Sequence, residues 1–436
     1  MKVRPRFTRA VVLTGAVAAL AVVLGATAVA GTNGRSRSTV SGNLTIWCWG
    51  AARDSLKVVD DGFKRAFPGI ELNYVTLQPS DLYQKVQLSV AAGSGFPDVS
   101  CLEDSHLSQI VKLGALADIT SKAAPYVKSI AAPFKWDASR LNGRYYAFPW
   151  DAGPVVLFYR RSVFKRAGVD AASIQTWNDY YQAGLKTKKL GVPIWIQSKA
   201  QNDGRFYETL LWQQGSGYVD TKGNVTIDKD PRALKALQFM GKMWHAGVLG
   251  DQAEWTDPWY TSIGGAKVAT LPMAQWMSIF LKSWLAPKTK GDWGVVPLPA
   301  WTPGGIRSAN DGGSALGIFK SSGNQDAAWQ YIRYHLARAD TQSRIYQTTD
   351  YFPSLTAAFN TPYVRQPDPY YGGQRVHLVF TQALKQIPEA HVYSSDYQQM
   401  NALMSTEIQK FALGKETAQQ ALKNAAKEIR ARTGRH

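Results

Sequence analysis

The chain has 436 residues, long enough for two or three lobes, and its 45% hydrophobic and 19% charged residues exclude an intrinsically disordered protein. The formal net charge is +18, but the basic residues are dispersed and no nucleic-acid-binding motif or basic stripe is present, so we expect no nucleic-acid partner. With 15 Trp, 20 Tyr and 16 Phe, the chain has enough aromatic side chains to fill a core and also line a cleft.

The N-terminus has the pattern of an export signal. Residues 2–9 carry four basic side chains and no acid, residues 10–30 are almost entirely apolar, and Ala28-Val29-Ala30 is a cleavage-site pattern. We therefore expect a secreted or cell-surface protein with a signal peptide over 1–30 and a polar linker over 31–40. Because the apolar run is long enough to span a bilayer, an uncleaved anchor through residues 10–30 is the alternative.

The segments after the linker predict an α/β lobe. A short apolar run ends at Trp49, helical spacing follows over 56–67, and alternation over 70–74 predicts a second strand. A third strand is predicted over 98–102. Cys48 and Cys101 lie near the ends of two of these strands, and neighbouring parallel strands about 4.8 Å apart suit a disulfide. The alternative is two buried free thiols.

Residues 144–168 predict a passage between two lobes. Residues 145–149 are typical of a strand end, 150–154 form a break with an aromatic, a carboxylate, Gly and Pro, and 155–159 are a second apolar run. A strand that leaves one lobe and enters another at such a corner is what a hinge requires. Arg160 and Arg161, which follow the run, are predicted to form a solvated face.

Many segments, in order, resemble those of the extracellular solute-binding proteins of carbohydrate ABC importers, the maltose-binding-protein-like family 1. The matching segments are Ala91–Glu103, Leu113–Ile119, Trp136–Phe148, Thr176–Asp179, Gly264–Thr270 with Trp276, Trp293–Pro299, Asn310–Ile318, Tyr351–Ser354 and the terminal helix after Gly414. They cover nearly all of the chain after the leader.

The resemblance implies a fold and an organisation. The fold class is α/β: a two-lobed periplasmic-binding-protein type II fold, each lobe a mainly parallel sheet flanked by helices, with a multi-segment hinge. Lobe 1 is expected over 41–149 and 310–350 and lobe 2 over 155–305 and 356–436. The crossings between them are expected near 150–154, 306–312 and 351–355.

The resemblance also implies a function. The expected role is extracytoplasmic capture of a mono- or oligosaccharide by cleft closure, and its delivery to the permease subunits of an ABC importer. We expect a monomer that is not an enzyme and needs no cofactor and no metal.

A sugar site needs flat aromatic faces for the C–H face and short polar groups for the hydroxyls, placed where parallel strands end. At strand ends and crossings the candidates are Trp49, Glu103, Asp104, Trp150, Asp151, Asp311, Gly312 and Gly313, and the resemblance adds Trp276, Tyr393, Asp396 and Tyr397. Trp255 and Trp259 are weaker candidates.

A secreted glycoside hydrolase is the main alternative, because it also needs aromatics and paired carboxylates. Acids adjacent in the chain, such as Glu103 and Asp104, point apart in a strand and are poor evidence for catalytic geometry. A surface adhesion module would show repeats, which this chain lacks.

Overall fold

The computed structural model describes residues 40–388 and 393–436. The predicted signal peptide and the linker up to residue 39 therefore lie outside the described residues. Within the two described stretches, no helix is both long enough and apolar enough to cross a membrane.

In the described part of the chain, strands and helices alternate in the pattern predicted for an α/β fold. The strands are β1 (Gly42–Cys48), β2 (Ile70–Thr76), β3 (Val99–Glu103), β4 (Arg140–Leu141), β5 (Arg144–Tyr145), β6 (Ala147–Arg160), β7 (Trp195–Ile196), β8 (Leu249–Gly250), β9 (Thr270–Ala274), β10 (Trp293–Pro297) and β11 (Asn310–Ile318). The helices are α1 (Gly50–Lys57), α2 (Asp60–Ala66), α3 (Pro79–Ala92), α4 (Asp104–Lys112), α5 (Thr120–Ala123), α6 (Arg161–Ala167), α7 (Trp177–Lys188), α8 (Arg205–Trp212), α9 (Pro231–His245), α10 (Asp257–Gly264), α11 (Met277–Phe280), α12 (Gln325–Leu336), α13 (Ala339–Thr349), α14 (Val376–Leu384), α15 (Tyr397–Ala412) and α16 (Ala418–Thr433). Shorter 3-10 turns join several of them, and Leu281–Leu285 continues α11 as a π-helical turn.

The main sheet has the strand order β10-β6-β11-β3-β1-β2, and β9 pairs with the other edge of β6. Strands β2, β1 and β3 are parallel, as predicted for the first lobe, whereas β11 runs antiparallel to both β3 and β6. Strands β9 and β10 both pair antiparallel with β6 and therefore run the same way as each other. Strand β6 therefore runs in the same direction as β1, β2 and β3, whereas β9, β10 and β11 run in the opposite direction.

A continuous strand occupies the segment predicted to be a break. Residues 147–154 of β6 pair with β11 and residues 155–160 pair with β9 and β10, so residues 150–154 stay extended. Pro154 fits within the strand because the register shifts between Asn310 and Gly313 of β11. Where the register shifts, the strand pairing does not require a hydrogen bond from the proline nitrogen, which has no hydrogen to donate.

The three predicted crossings lie side by side. Residues 352–354 lie alongside β6, where Ser354 N donates to Trp150 O at 2.8 Å and Asp151 bridges to Pro353. Strand β11 lies along β6 as well, where Val155 N donates to Ala309 O at 2.9 Å. One hydrophobic core is built from residues within 44–150 and 316–351, and a larger core combines other residues of these stretches, such as Trp47 and Leu102, with residues from the rest of the fold. The lobe boundaries given above stay predictions.

Thr176 is the N-cap of α7 and forms a reciprocal capping box with Asp179. Two local expectations are tested directly. A disulfide joins Cys48 and Cys101, whose Cα atoms are 5.0 Å apart, next in register to the paired residues of β1 and β3. The solvated face predicted for Arg160 is wrong: Arg160 is 3% exposed, and its Nε lies 3.0 Å from Asp292 Oδ2 and its guanidinium over the Trp293 ring. A buried arginine needs such a partner.

Candidate functional site

A pair of buried carboxylates lies where β3 ends and β6 meets β11. Asp104 forms an ion pair with Lys135, whose side chain is fully buried. Asp151 accepts hydrogen bonds from the backbone and hydroxyl of Ser314, the former at 2.6 Å. Burial raises the pKa of Asp104 to about 6 and also raises that of Asp151, and the charge of Lys135 opposes both shifts. Asp104 and Asp151 are therefore held by protein partners. We call the buried group of Asp104, Lys135, Asp151 and Ser314 the floor of the crossings.

Two glycines let the β11 backbone approach this floor. Gly312 and Gly313 have φ of +79° and +101°, which other residues rarely adopt. A Cβ on Gly313 would lie 2.8 Å from Asp104 Oδ2 and 3.1 Å from Asp151 O, so no side chain fits there. Gly312 and Gly313 therefore allow the β11 backbone to pack directly against the buried carboxylates.

Asp311 and Trp276 are joined across the same crossing. Trp276 Nε1 donates to the carbonyl oxygen of Asp311 at 2.9 Å, and the Asp311 carboxylate pairs with Arg205 at 2.7 Å. Burial raises the pKa of Asp311, and Arg205 opposes that shift. Trp276 is partly exposed. The structure thus brings Trp276 and Asp311, which were both predicted, together with Arg205, which was not.

Arg205 is the main residue that sequence reasoning missed. It begins α8, and its guanidinium lies 5.9 Å from the Trp255 ring and 5.8 Å from the Trp276 ring. Its Nε lies 3.9 Å from Glu254 Oε2, and within the described residues neither atom makes a hydrogen bond. One buried donor and one buried acceptor thus lie next to two aromatic rings without a hydrogen bond within the described residues. No motif marked either residue, because the pairing joins segments about fifty residues apart.

The tryptophans separate into exposed and buried groups. Trp49, Trp255 and Trp276 are partly exposed, whereas Trp259 is fully buried in the core. Trp150, which is expected at the ligand site, is 1% exposed and stacks on Tyr351 at 4.2 Å within the first core, so its contact with a ligand stays a prediction. Because β6 is buried on both faces, its sequence lacks the alternation of apolar and polar residues that would show which way the Trp150 side chain points.

Glu103 lies at the rim of the same region. Its side chain is 37% exposed, its backbone N–H donates to the Tyr83 hydroxyl at 2.8 Å, and Tyr83 stacks on His106 at 3.6 Å. Desolvation by the surrounding chain raises the pKa of Glu103, with Arg205, Asp151 and Asp311 among the charges that act on it. Burial lowers the pKa of His106 to about 4, so His106 is neutral near pH 7 and contributes no ion pair.

Of the three predicted residues within 393–397, one contacts a crossing and two contact other parts of the protein. The Tyr393 hydroxyl lies 3.3 Å from the backbone nitrogen of Gly312, which donates to it. Tyr397 instead donates to both carboxylate oxygens of buried Glu208, and Asp396 is bound through both oxygens by Arg435. Each of these two side chains therefore has a protein partner, and a ligand contact for Tyr397 and Asp396 stays a prediction.

The two sides of this region are in contact. Ser108 of α4 donates to the carbonyl oxygen of Tyr393, and Gln398 Nε2 donates to Ser105 O at 3.1 Å. The segment that follows β3 thus touches the segment that opens α15, close to Gly312.

The chemistry of the arrangement favours binding over catalysis. Asp104, Asp151 and Asp311 each hold a fixed protein partner, unlike a pair of carboxyl groups that flank an open gap for acid and base roles. Among the described residues, one cluster has metal-ligand composition: Asp350, Asp368 and His377. The ammonium of Lys282 already bridges its two carboxylates.

Comparison with known proteins gives consistent matches. The model of the family described as bacterial extracellular solute-binding protein matches residues 52–341. The arabinooligosaccharide-binding protein of Bacillus subtilis (strain 168) is 26% identical over 92% of this chain and 95% of its own, and the lactose-binding protein of Rhizobium radiobacter is 25% identical over 81% and 84%. The binding protein associated with an ABC transporter of B. animalis subsp. lactis Bl-04, solved with beta-1,6-galactobiose, superposes with a TM-score of 0.76 at 26% identity, covering 89% of this chain and 97% of that one.

Proposed function

Because the chain belongs to the bacterial extracellular solute-binding protein family, we propose that it captures a saccharide outside the cytoplasm and delivers it to the permease of an ABC importer. Relatives named for arabinooligosaccharide and lactose binding, and the galactobiose complex, support a saccharide as the solute. The family is one of binding proteins and not of enzymes, so the glycoside hydrolase alternative is set aside.

One observation carries the proposal of a sugar ligand. The partly exposed side chains of Trp255 and Trp276 lie beside the Arg205–Asp311 pair, and one atom each of Arg205 and Glu254 next to them makes no hydrogen bond within the described residues. The apolar face of a sugar ring can stack on the indoles while its hydroxyls bond to the guanidinium and carboxylates. Glu103, Trp49 and Tyr393 would complete the walls.

Capture is proposed to proceed by closure of two lobes about the crossings. The contacts from Ser108 to Tyr393 and from Gln398 to Ser105 support this, since they join segments from the two predicted lobes and would break on opening. Closure about a few strand segments is a hinge motion. The closed form would then dock on the permease subunits as a monomer.

Export is proposed to use residues 1–30. Cleavage after Ala30 would release the protein, and retention of residues 10–30 would tether it to the membrane. Either outcome leaves the binding site outside the cytoplasm, where a family of extracellular solute-binding proteins acts.

Trp276→Ala should weaken saccharide binding by about 1–3 kcal/mol, because an aromatic stacking face is lost. Isothermal titration calorimetry with a saccharide that the parent protein binds measures this change. Trp301→Ala is the matched control: Trp301 is another partly buried tryptophan, but it packs on Phe239 and Lys235. Unchanged affinity in a folded Trp276→Ala variant would remove Trp276 from the site.

A further inference from the structure

Glu208 of α8 is a buried carboxylate one helical turn after Arg205. It is 4% exposed, and its two oxygens accept hydrogen bonds from three side chains. The Tyr397 hydroxyl lies 2.9 Å from Oε1 and 2.8 Å from Oε2, and Oε1 also accepts from the Tyr218 hydroxyl at 2.6 Å and from Asn401 Nδ2 at 2.9 Å. A buried carboxylate needs such partners, and here these three donors are all neutral.

The Tyr397 donor connects Glu208 to the crossings. The Tyr397 ring packs edge to face on the Tyr393 ring at 4.7 Å, and the Tyr393 hydroxyl accepts a hydrogen bond from Gly312 N at 3.3 Å. Ser108 of α4 donates to the carbonyl oxygen of the same Tyr393. The tyrosine that Glu208 holds therefore packs on the residue that contacts both β11 and α4.

Asn401 connects the same carboxylate to the start of α8. Its Nδ2 donates to Glu208 Oε1 at 2.9 Å and also to the carbonyl oxygen of Asp203 at 3.2 Å. Arg205, two residues after Asp203, pairs with Asp311 at 2.7 Å. Glu208 and its donors thus join the two segments that bring side chains to the proposed saccharide site, the start of α8 and the start of α15.

The donors around Glu208 favour its ionised form. As an anion it accepts from all three side chains, whereas a protonated carboxyl group has one oxygen that donates, among groups that already donate. Burial raises the pKa of Glu208 to about 7, and the hydrogen bonds from Tyr218, Asn401 and Tyr397 oppose that shift. Burial also raises the pKa of both tyrosines well above the usual value, so they remain donors near pH 7.

Other charged and titratable groups surround Glu208 and its tyrosine partners. They are Asp203, Arg205 and Tyr207 on its own segment, Tyr218 and Asp230 before α9, Tyr393 and Tyr397 at α15, and Asp311 of β11. The tyrosines keep their protons and Arg205 keeps its charge near pH 7, because the pKa of each is raised. Asp104, whose pKa is about 6, acts on Tyr393 and is another group that titrates near neutral pH.

We infer that Glu208 is a positioning residue for saccharide capture: its negative charge holds the first turns of α15 against α8 and thereby places Tyr393 and Arg205 in the saccharide site. This inference rests on the proposed function and adds to it a buried residue that acts through its neighbours. Protonation of Glu208 removes an acceptor from Tyr397 and Asn401. Capture of the saccharide therefore weakens when Glu208 takes up a proton.

The test is the pH profile of saccharide affinity, measured by calorimetry on the whole exported protein with beta-1,6-galactobiose, lactose and arabinotriose. With the tightest-bound of these sugars, the affinity of the parent should rise by up to about tenfold between about pH 6 and about pH 8, the most that one group with a pKa of about 7 gives. Glu208→Gln should bind about tenfold more weakly at about pH 8, and its affinity should change less with pH. Asp104 is present in both proteins, so its titration does not distinguish them.

A second pair of variants tests the charge of Glu208 separately from its packing. Tyr218→Phe removes one hydrogen bond that stabilises the ionised form, so the midpoint of the pH profile should move upward by about one pH unit. Tyr180→Phe is the matched control, because its hydroxyl is also buried but bonds to Thr270 Oγ1 at 2.8 Å, and it should leave the midpoint unchanged. This comparison stays decisive if Glu208→Gln does not fold.

A merely structural role of Glu208 would leave the pH profile unmoved. The inference is therefore overturned by a parent affinity that does not rise with pH over this interval, by equal pH dependence of the parent and folded Glu208→Gln, or by an unmoved midpoint in Tyr218→Phe. In each of these cases, binding of a sugar by the parent still supports the proposed function. Absence of binding of all three sugars by the parent would overturn the inference together with the saccharide proposal on which it rests.

Discussion

Replacing Lys135 with methionine should lower the free energy of unfolding by about 3–5 kcal/mol, the cost of leaving a buried charge without its partner. The Lys135 side chain is fully buried, that of Asp104 is 3% exposed, and Asp104 Oδ1 makes no hydrogen bond within the described residues. Lys135 also supplies the main favourable charge for Asp151. Urea unfolding followed by circular dichroism measures the change.

The pH dependence separates lost charge pairing from lost packing. The folded pKa of Asp104, raised by burial to about 6, lies above its ordinary value even with Lys135 present, and removing the cation raises it further. A carboxyl whose pKa is raised on folding binds extra protons in the folded state, so its contribution to stability falls as pH rises through that interval. The deficit of Lys135→Met relative to the parent should therefore be larger at about pH 8 than at about pH 5.

A matched control is available in the first half of the fold. Lys122 pairs with Asp326 at the surface, where the two side chains are 34% and 80% exposed. Lys122→Met should leave the unfolding midpoint nearly unchanged, because water screens an exposed pair. Equal and small effects of both substitutions would contradict the assignment of Lys135 as the charge that stabilises the floor of the crossings.

Gly153→Ala should destabilise the fold by about 3 kcal/mol, at the upper end of overpacking costs. A Cβ on Gly153 would overlap the carbonyl oxygen of Asp311 and lie 2.8 Å from its carbonyl carbon, and backbone atoms cannot move aside as a flexible side chain can. Strands β6 and β11 would have to separate where they cross. Because Asp311 bonds to Trp276 and Arg205, saccharide affinity should fall as well.

Gly323→Ala serves as the control for this substitution. Nothing lies within 4 Å of a Cβ at Gly323, and its φ is not in the left-handed region. The control should change neither the melting temperature nor the affinity measurably. A Gly153→Ala variant with the parent's melting temperature and affinity would show that the two long strands are not packed as tightly as described.

The sequence was sufficient to predict residues whose position follows from strand order. Asp151 and Asp311 are predicted at crossings and lie in the long strands β6 and β11, and Glu103 is predicted at a strand end and is the last residue of β3. Trp276 was predicted from its motif. These positions depend on topology, which a hydrophobic pattern and ordered motifs specify well.

The remaining errors concern contacts between segments distant in the chain. Arg205 was missed and Arg160 was placed in solvent because the acids that pair with them, Asp311 and Asp292, are more than a hundred residues away. The hydrogen bonds from Arg435 to both oxygens of Asp396 also join distant segments and were not foreseen. Local patterns do not specify which charges meet in a folded interior.

The central claim, that the protein binds a saccharide without transforming it, is tested most directly by one thermal-shift screen with recovery of the ligand. The purified exported protein is melted with a panel of neutral mono- and oligosaccharides, and each stabilising sugar is recovered and sized by chromatography. We expect at least one saccharide to raise the melting temperature in a concentration-dependent manner, because a ligand that binds only the folded state stabilises it, and to be recovered intact. No stabilisation by any saccharide, or recovery of shorter cleavage products, would contradict the account.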